Sequence, residues 1–104
     1  MAMDENSFEE SVITKEKEKI EKPPLYSVIL HNDDYTTMDF VVTVLQKFFF
    51  KNETEAAHVM MNVHKKGRGV AGIFTFEIAE TKVSQVHSYA KTHQHPLKCS
   101  LEPE

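Results

Sequence analysis

The sequence predicts an α/β (α+β) sandwich: three helices over one face of a three-stranded sheet, in the order strand, helix, helix, strand, helix, strand. Three observations predict it. Apolar residues alternate with period two in three short stretches, they recur at helical spacing in three longer ones, and Gly, Pro or Asn/Asp clusters separate the two kinds. The 104 residues fit one domain. Setting aside a polar N-terminal part leaves roughly 80 residues, enough for a small core but not for a large buried cleft, so any site is expected to be shallow.

Residues 1–22 alternate Lys and Glu with few apolar side chains, and Ile20 to Pro24 closes them with a Pro-Pro pair that cannot continue a helix. They are expected to form a mobile extension, with the folded domain spanning 23–104. From Leu25 to His31, Tyr26, Val28 and Leu30 fall on one face and Ser27 and Ile29 on the other, a strand period. Val41, Val44, Leu45 and Phe48 then recur at helical spacing, which predicts a helix from about Thr37 to Phe49 whose terminal phenylalanines enter the core. Thr36 with Asp39 three residues on is a variant of the N-capping pattern, and Asn52 with Glu55 repeats it. A second helix follows, with Ala56, Met60, Val63 and His64 along one side and Gly67 as its terminator. Gly67-Arg68-Gly69 reads as a turn, since a dinucleotide fingerprint needs a third glycine and a preceding strand. Val70 to Ile78 alternates and predicts the second strand, with Val70, Gly72, Phe74, Phe76 and Ile78 on one face. Val83, Val86 and Ala90 predict a helix to about Thr92, Pro96 a stop, and Leu97, Cys99 and Leu101 the last strand.

Charge and composition narrow the function. The net charge is -4, and residues 25–104 hold nine acids against eight bases. Without a clustered positive field, nucleic acid is not expected as a partner. No apolar run reaches the roughly 18 residues of a membrane span, because Gln46 and Lys47 interrupt the most apolar stretch. The acidic start, Met1 to Glu10, lacks the basic region and apolar core of a signal peptide, and a single cysteine makes no internal disulfide. A cytoplasmic protein is expected.

The stretch that stands out is His31-Asn32-Asp33-Asp34-Tyr35-Thr36-Thr37-Met38-Asp39-Phe40, which gathers oxygen acceptors between the first strand and the first helix. A turn followed by a helix cap accounts for much of it. The remainder is two adjacent carboxylates and an amide, with no basic residue between Asn32 and Lys47 to neutralise them. This is the composition of a loop that holds a cation. Among the six histidines, His31, His58, His87, His93 and His95 occupy ordinary strand-end, surface or helix-end positions. His64 differs, lying on the apolar side of the second helix one turn from its end. No three or four ligands converge at metal-binding spacing, no HExxH motif exists, and Cys99 has no activating base nearby in sequence, so neither a metal, nor a cofactor, nor an enzyme is expected.

Asn32-Asp33-Asp34-Tyr35-Thr36 with Met38 and Phe40, Val63-His64 before Gly67, Ala71-Gly72-Ile73-Phe74 leading into Ala79-Glu80-Thr81-Lys82, and His95-Pro96-Leu97 resemble the bacterial ClpS adaptors over about residues 23–102. The resemblance implies a fold similar to the C-terminal domain of the ribosomal stalk protein. It implies binding of proteins whose first residue is Leu, Phe, Tyr or Trp, and their delivery to a ClpA-type AAA+ unfoldase of the ClpP protease, a ClpC type being open as well. Asn32 and His64 are then expected to bond the amino group, with Asp33 or Asp34 supplying charge and the sequence not deciding which. Thr36, Met38, Val41, Met60, Val63 and Leu97 map onto the side-chain pocket, and Glu77 and Lys82 onto the unfoldase contact. The chemistry is consistent: an ammonium offers three N–H donors that need acceptors, and His64 accepts only when neutral. Thr37 stands where the family usually has proline, and His31 where an apolar or amide residue is commoner. The alternative reading is a stalk-like docking domain that recognises no amino terminus.

Overall fold

Residues 22–104 are described by a computed structural model, so the expected extension, apart from Lys22, lies outside the described residues. Strand β1 (Leu25–His31), helix α1 (Met38–Phe49), helix α2 (Glu53–Lys66), strand β2 (Arg68–Thr75), helix α3 (Phe76–Thr92) and strand β3 (Lys98–Pro103) follow in that order. The sheet is antiparallel with β1 in the centre, in the order β2-β1-β3. One face of it carries the helices. Val28 and Leu30 from β1 join Val41, Val44 and Leu45 of α1, Ala56 and Val63 of α2, and Ala79, Val86 and Ala90 of α3 in a single core. On the other face, Arg68 of β2 pairs with Glu102 of β3. Arg68 is level with His31 and Glu102 with Ser27, so the pair crosses the central strand over Ile29, which is only 2 % exposed although the helices do not cover it.

Helix ends are set by local chemistry. Thr37 is extended and its hydroxyl accepts from the Phe40 N–H at 3.1 Å, which starts α1. The expected cap at Thr36 is therefore displaced by one residue, because Thr36 is engaged by Asp33 instead. At α2 the Asn52 side chain accepts from Glu55 N–H at 2.8 Å while the Glu55 carboxylate accepts from Asn52 N–H at 3.0 Å, a reciprocal capping box. Gly67 closes α2 at φ 87°, a left-handed conformation that glycine adopts without Cβ strain.

Four expectations need correction. The second strand stops at Thr75, and Phe76 and Ile78 belong to α3, where they are 45 % and 49 % exposed. Their alternation continued the strand pattern by coincidence, while Ala79, Val83, Val86 and Ala90 carry the helical period from the first turn onward. Val70 does not share a face with Gly72 and Phe74, because a bulge between the Val28 and Ile29 pairings inserts Ala71 and moves Val70 outward. Phe50 is not in the core: it sits at φ 52° past the end of α1 and is 82 % exposed. Arg68 and Gly69, read as part of a turn, already pair with β1.

Candidate functional site

The acidic stretch becomes a short loop whose shape comes from Asp33. Its Oδ1 accepts the backbone N–H of Tyr35 at 2.8 Å and of Thr36 at 2.6 Å, and its Oδ2 accepts the Thr36 hydroxyl at 2.6 Å. Partial burial opposes ionisation of this carboxyl. The bonds from Thr36 and Tyr35, with the charge of His95, outweigh burial and hold Asp33 below the ordinary carboxylate value. Asp33 is thus used within the loop, a role signalled in the sequence by an aspartate three residues before a threonine.

The loop is tied to α2 at its first residue. Asn32 N–H donates to the Gly67 carbonyl at 2.9 Å, and Gly67 N–H donates to the Val63 carbonyl at 3.0 Å. The left-handed turn after α2 therefore fixes Asn32 beside the helix end that carries Val63 and His64. Gly69 completes the approach of β2 to α2: a Cβ there would stand 2.9 Å from a Val63 methyl and 3.1 Å from the Val59 carbonyl oxygen.

Between the loop, α1 and α2 lies an open cavity of about 290 Å³ lined by Asn32, Asp33, Asp34, Thr36, Met38, Val41, Met60, Val63 and His64. Nine of the ten residues nominated for amine and side-chain contact meet in one place. The tenth, Leu97, is 3 % exposed in the core and does not line this cavity. Val41 and Val63 are buried walls shared with the core, Met60 is half-buried, and Met38 is 42 % exposed at the first turn of α1. Asn32, Asp34 and His64 are exposed, and no hydrogen bond within the described residues occupies their side chains. The cavity thus joins an apolar floor to three available polar groups, one of them a carboxylate.

Glu77 and Lys82 lie on α3 and do not line the cavity. Lys82 donates from Nζ to the Phe48 carbonyl at 2.7 Å and stands 5.0 Å from the centre of the Phe50 ring, closing the end of α1. Glu77 is exposed in the first turn of α3 and borders a depression with Pro23, Pro24, Tyr26, Thr75 and Phe76. Three of the other histidines have local partners. His31 Nε2 is 2.6 Å from Ser100 Oγ, His87 Nε2 accepts the Cys99 N–H at 3.1 Å, and His95 stacks on Phe40 at 4.0 Å. Burial pushes the Cys99 thiol up to about 12, so it stays protonated and inert. Among the described residues no group of three or more His, Cys, Asp or Glu is placed to hold a metal ion, and no helix is long and apolar enough to cross a membrane.

A family model described as ATP-dependent Clp protease adaptor protein ClpS matches residues 21–100. The chain is similar to the ATP-dependent Clp protease adapter protein ClpS of Rhodospirillum centenum, 55 % identical over 93 residues covering 89 % of this chain and 86 % of that one. It is similar to the same adapter of Roseobacter denitrificans, 52 % identical over 100 residues covering 96 % and 88 %. Among solved structures it is similar to Agrobacterium tumefaciens ClpS2 bound to L-phenylalaninamide, with TM-score 0.77 and 40 % identity over 80 % of this chain and 100 % of that one.

Proposed function

The chain belongs to the ClpS family of ATP-dependent Clp protease adaptor proteins, and from that premise and the cavity's geometry we propose that it captures proteins by a free amino terminus bearing Leu, Phe, Tyr or Trp. It is an adaptor rather than an enzyme: it selects substrates and delivers them to the Clp protease.

The observation that carries this reading is the convergence of Asn32, Asp34 and His64 on the apolar floor made by Met38, Val41, Met60 and Val63. At about 290 Å³ the cavity stands at the small end of ligand pockets, suited to one side chain and its amine. In this reading the Asn32 amide oxygen and a neutral His64 nitrogen accept from the ammonium, and Asp34 supplies the countercharge. Asp33 shapes the loop. Thr36 borders the cavity with its hydroxyl committed to Asp33, and Leu97 supports the floor from within the core. Burying a Leu or Phe side chain contributes about 1.5–3 kcal/mol and each charge-assisted hydrogen bond about 1.5–3 kcal/mol. Association costs of at least about 4 kcal/mol make a low-micromolar affinity, about -8 kcal/mol, the tight limit of these contributions.

The partner in delivery is a ClpA-type unfoldase, or its ClpC-type counterpart, engaged through the α3 surface that includes Glu77 and Lys82. Residues 23–104 serve as the capture domain and residues 1–22 as the segment engaged in handover, in the cytoplasm. Titrating a labelled peptide that begins with Leu against its N-acetylated twin tests the capture step. Binding of the free peptide alone is expected. Equal binding of both removes the amine from the mechanism and leaves the stalk-like docking domain.

A further inference from the structure

Two of the side chains that line the cavity are thioethers, and they come from different walls: Met38 from the first turn of α1 and Met60 from α2. They are the only sulfur atoms among its lining residues. Met38 is 42 % exposed and lies outside the core cluster, whereas Met60 is half-buried and packs against that cluster. An oxidant dissolved in water therefore meets Met38 first. The remaining sulfurs of the described residues are placed elsewhere: Met61 is half-buried on α2 without lining the cavity, and Cys99 is buried in the core. Chemistry on the exposed sulfur thus alters the surface that an incoming first side chain has to cover, and leaves the core alone.

We propose that Met38, and after it Met60, is a modification site at which oxidation by a peroxide to the sulfoxide shuts the cavity to bulky apolar first residues and reduction reopens it. The inference rests on the capture reading. In the oxidising step a lone pair on Sδ attacks one oxygen of hydrogen peroxide, the O–O bond breaks, an S–O bond forms and water leaves. The sulfur loses two electrons and the peroxide gains them. Reduction by a thiol-dependent methionine sulfoxide reductase returns the oxygen as water while two thiols become a disulfide. The sulfoxide is bulkier than the thioether by one oxygen, and it is polar. At Met38 and Met60 it stands in the wall from which a Leu or Phe side chain would strip water, and an acceptor covered by hydrocarbon without a donor weakens binding. Asn32, Asp34 and His64 keep their atoms, so the polar groups for the amine are retained while the apolar floor is lost. Because Met38 is exposed, its oxidation leaves the domain folded.

The test treats the full chain with hydrogen peroxide at neutral pH, locates the added oxygen by peptide mass spectrometry and titrates a labelled peptide that begins with Leu. Oxygen is expected on Met38 before Met61, and saturating leucinamide, which covers the cavity wall, slows the reaction at Met38 but not at Met61. Affinity for the Leu peptide falls about tenfold with the circular dichroism of the domain unchanged, and a methionine sulfoxide reductase restores it. The volume-conserving double variant Met38→Leu/Met60→Leu, whatever its starting affinity, no longer loses affinity in peroxide. It retains Met1, Met3 and Met61, so it separates the cavity sulfurs from the rest. Unchanged affinity after oxidation of Met38 overturns the proposal, as do an equal loss in the double variant, oxidation of Met61 ahead of Met38, and unfolding at the first oxidation. A Leu peptide that fails to bind the untreated chain overturns the capture reading and this inference with it.

Discussion

Replacing Asp33 by alanine removes three accepted hydrogen bonds at once, while replacing Asp34 removes none within the described residues. Bonds to an ionised acceptor are worth about 1.5–3 kcal/mol each when protected from water. The Tyr35 bond is exposed and both Thr36 bonds are only partly buried, so water competes for all three and each is worth less than that protected value. We expect Asp33→Ala to cost about 1–3 kcal/mol of folding stability, and Asp34→Ala less than about 0.5 kcal/mol, the ordinary range for an exposed substitution. Urea unfolding of both variants reads this directly, and in a domain of this size each kcal/mol lowers Tm by about 4–8 °C. Leu-peptide titration then separates the roles. Asp34→Ala weakens binding by about 1.5–3 kcal/mol at unchanged stability, whereas Asp33→Ala lowers both. The pH dependence follows from the depressed pKa of Asp33: its contribution is present at neutral pH and is lost as pH falls through that value. The stability gap between the unsubstituted chain and Asp33→Asn should therefore close below pH about 4. Equal destabilisation by the two alanine variants, or none by Asp33→Ala, refutes the division of labour between the aspartates.

Met38 is 42 % exposed at the cavity, so Met38→Ala should cost under about 1 kcal/mol of stability while admitting peptides that begin with Ile or Val, whose β-branch meets the thioether; parallel titrations with Leu, Phe, Ile and Val peptides check the relative gain. His64→Ala should weaken Leu-peptide binding by about 1.5–3 kcal/mol with an unchanged unfolding midpoint, since the ring is exposed and serves no core contact. Gly69→Ala places a methyl 2.9 Å from Val63, so it should destabilise by about 1–3 kcal/mol and reduce affinity for Phe and Trp peptides more than for Leu, as Val63 is pressed into the cavity.

What was legible in the sequence was whatever depends on neighbours a few residues apart. The capping box of Asn52 and Glu55, the terminating Gly67 and the period-two face of Leu25 to His31 are local, and each stands where it was expected. The change from strand to helix at Phe76 was hidden because two exposed apolar residues prolonged the alternation, and the bulge at Ala71 because register is decided by the partner strand. Most cavity residues were legible through family resemblance. Residue type alone does not reveal that the Asn32 N–H reaches Gly67, a contact across 35 positions that brings the loop to His64. The same limit applies to Leu97, whose apolar character suits a pocket wall and a core position equally; it packs in the core cluster and does not line the cavity. Thr37, a departure from the usual proline, caps α1 through its hydroxyl, so a hydrogen bond does here what a fixed φ does elsewhere.

The central claim is that one cavity binds both the amine and the first side chain. Titrating L-phenylalaninamide into the isotopically labelled full chain, and following backbone and side-chain NMR shifts, tests it most directly. The account predicts changes concentrated at Asn32 to Val41 and at Met60 to His64, with the Asn32 side-chain amide and the His64 ring among the largest, and little change at Glu77, Lys82 or the Arg68–Glu102 face. Shifts centred on α3 or on the outer face of the sheet, with Asn32 and His64 silent, would contradict it.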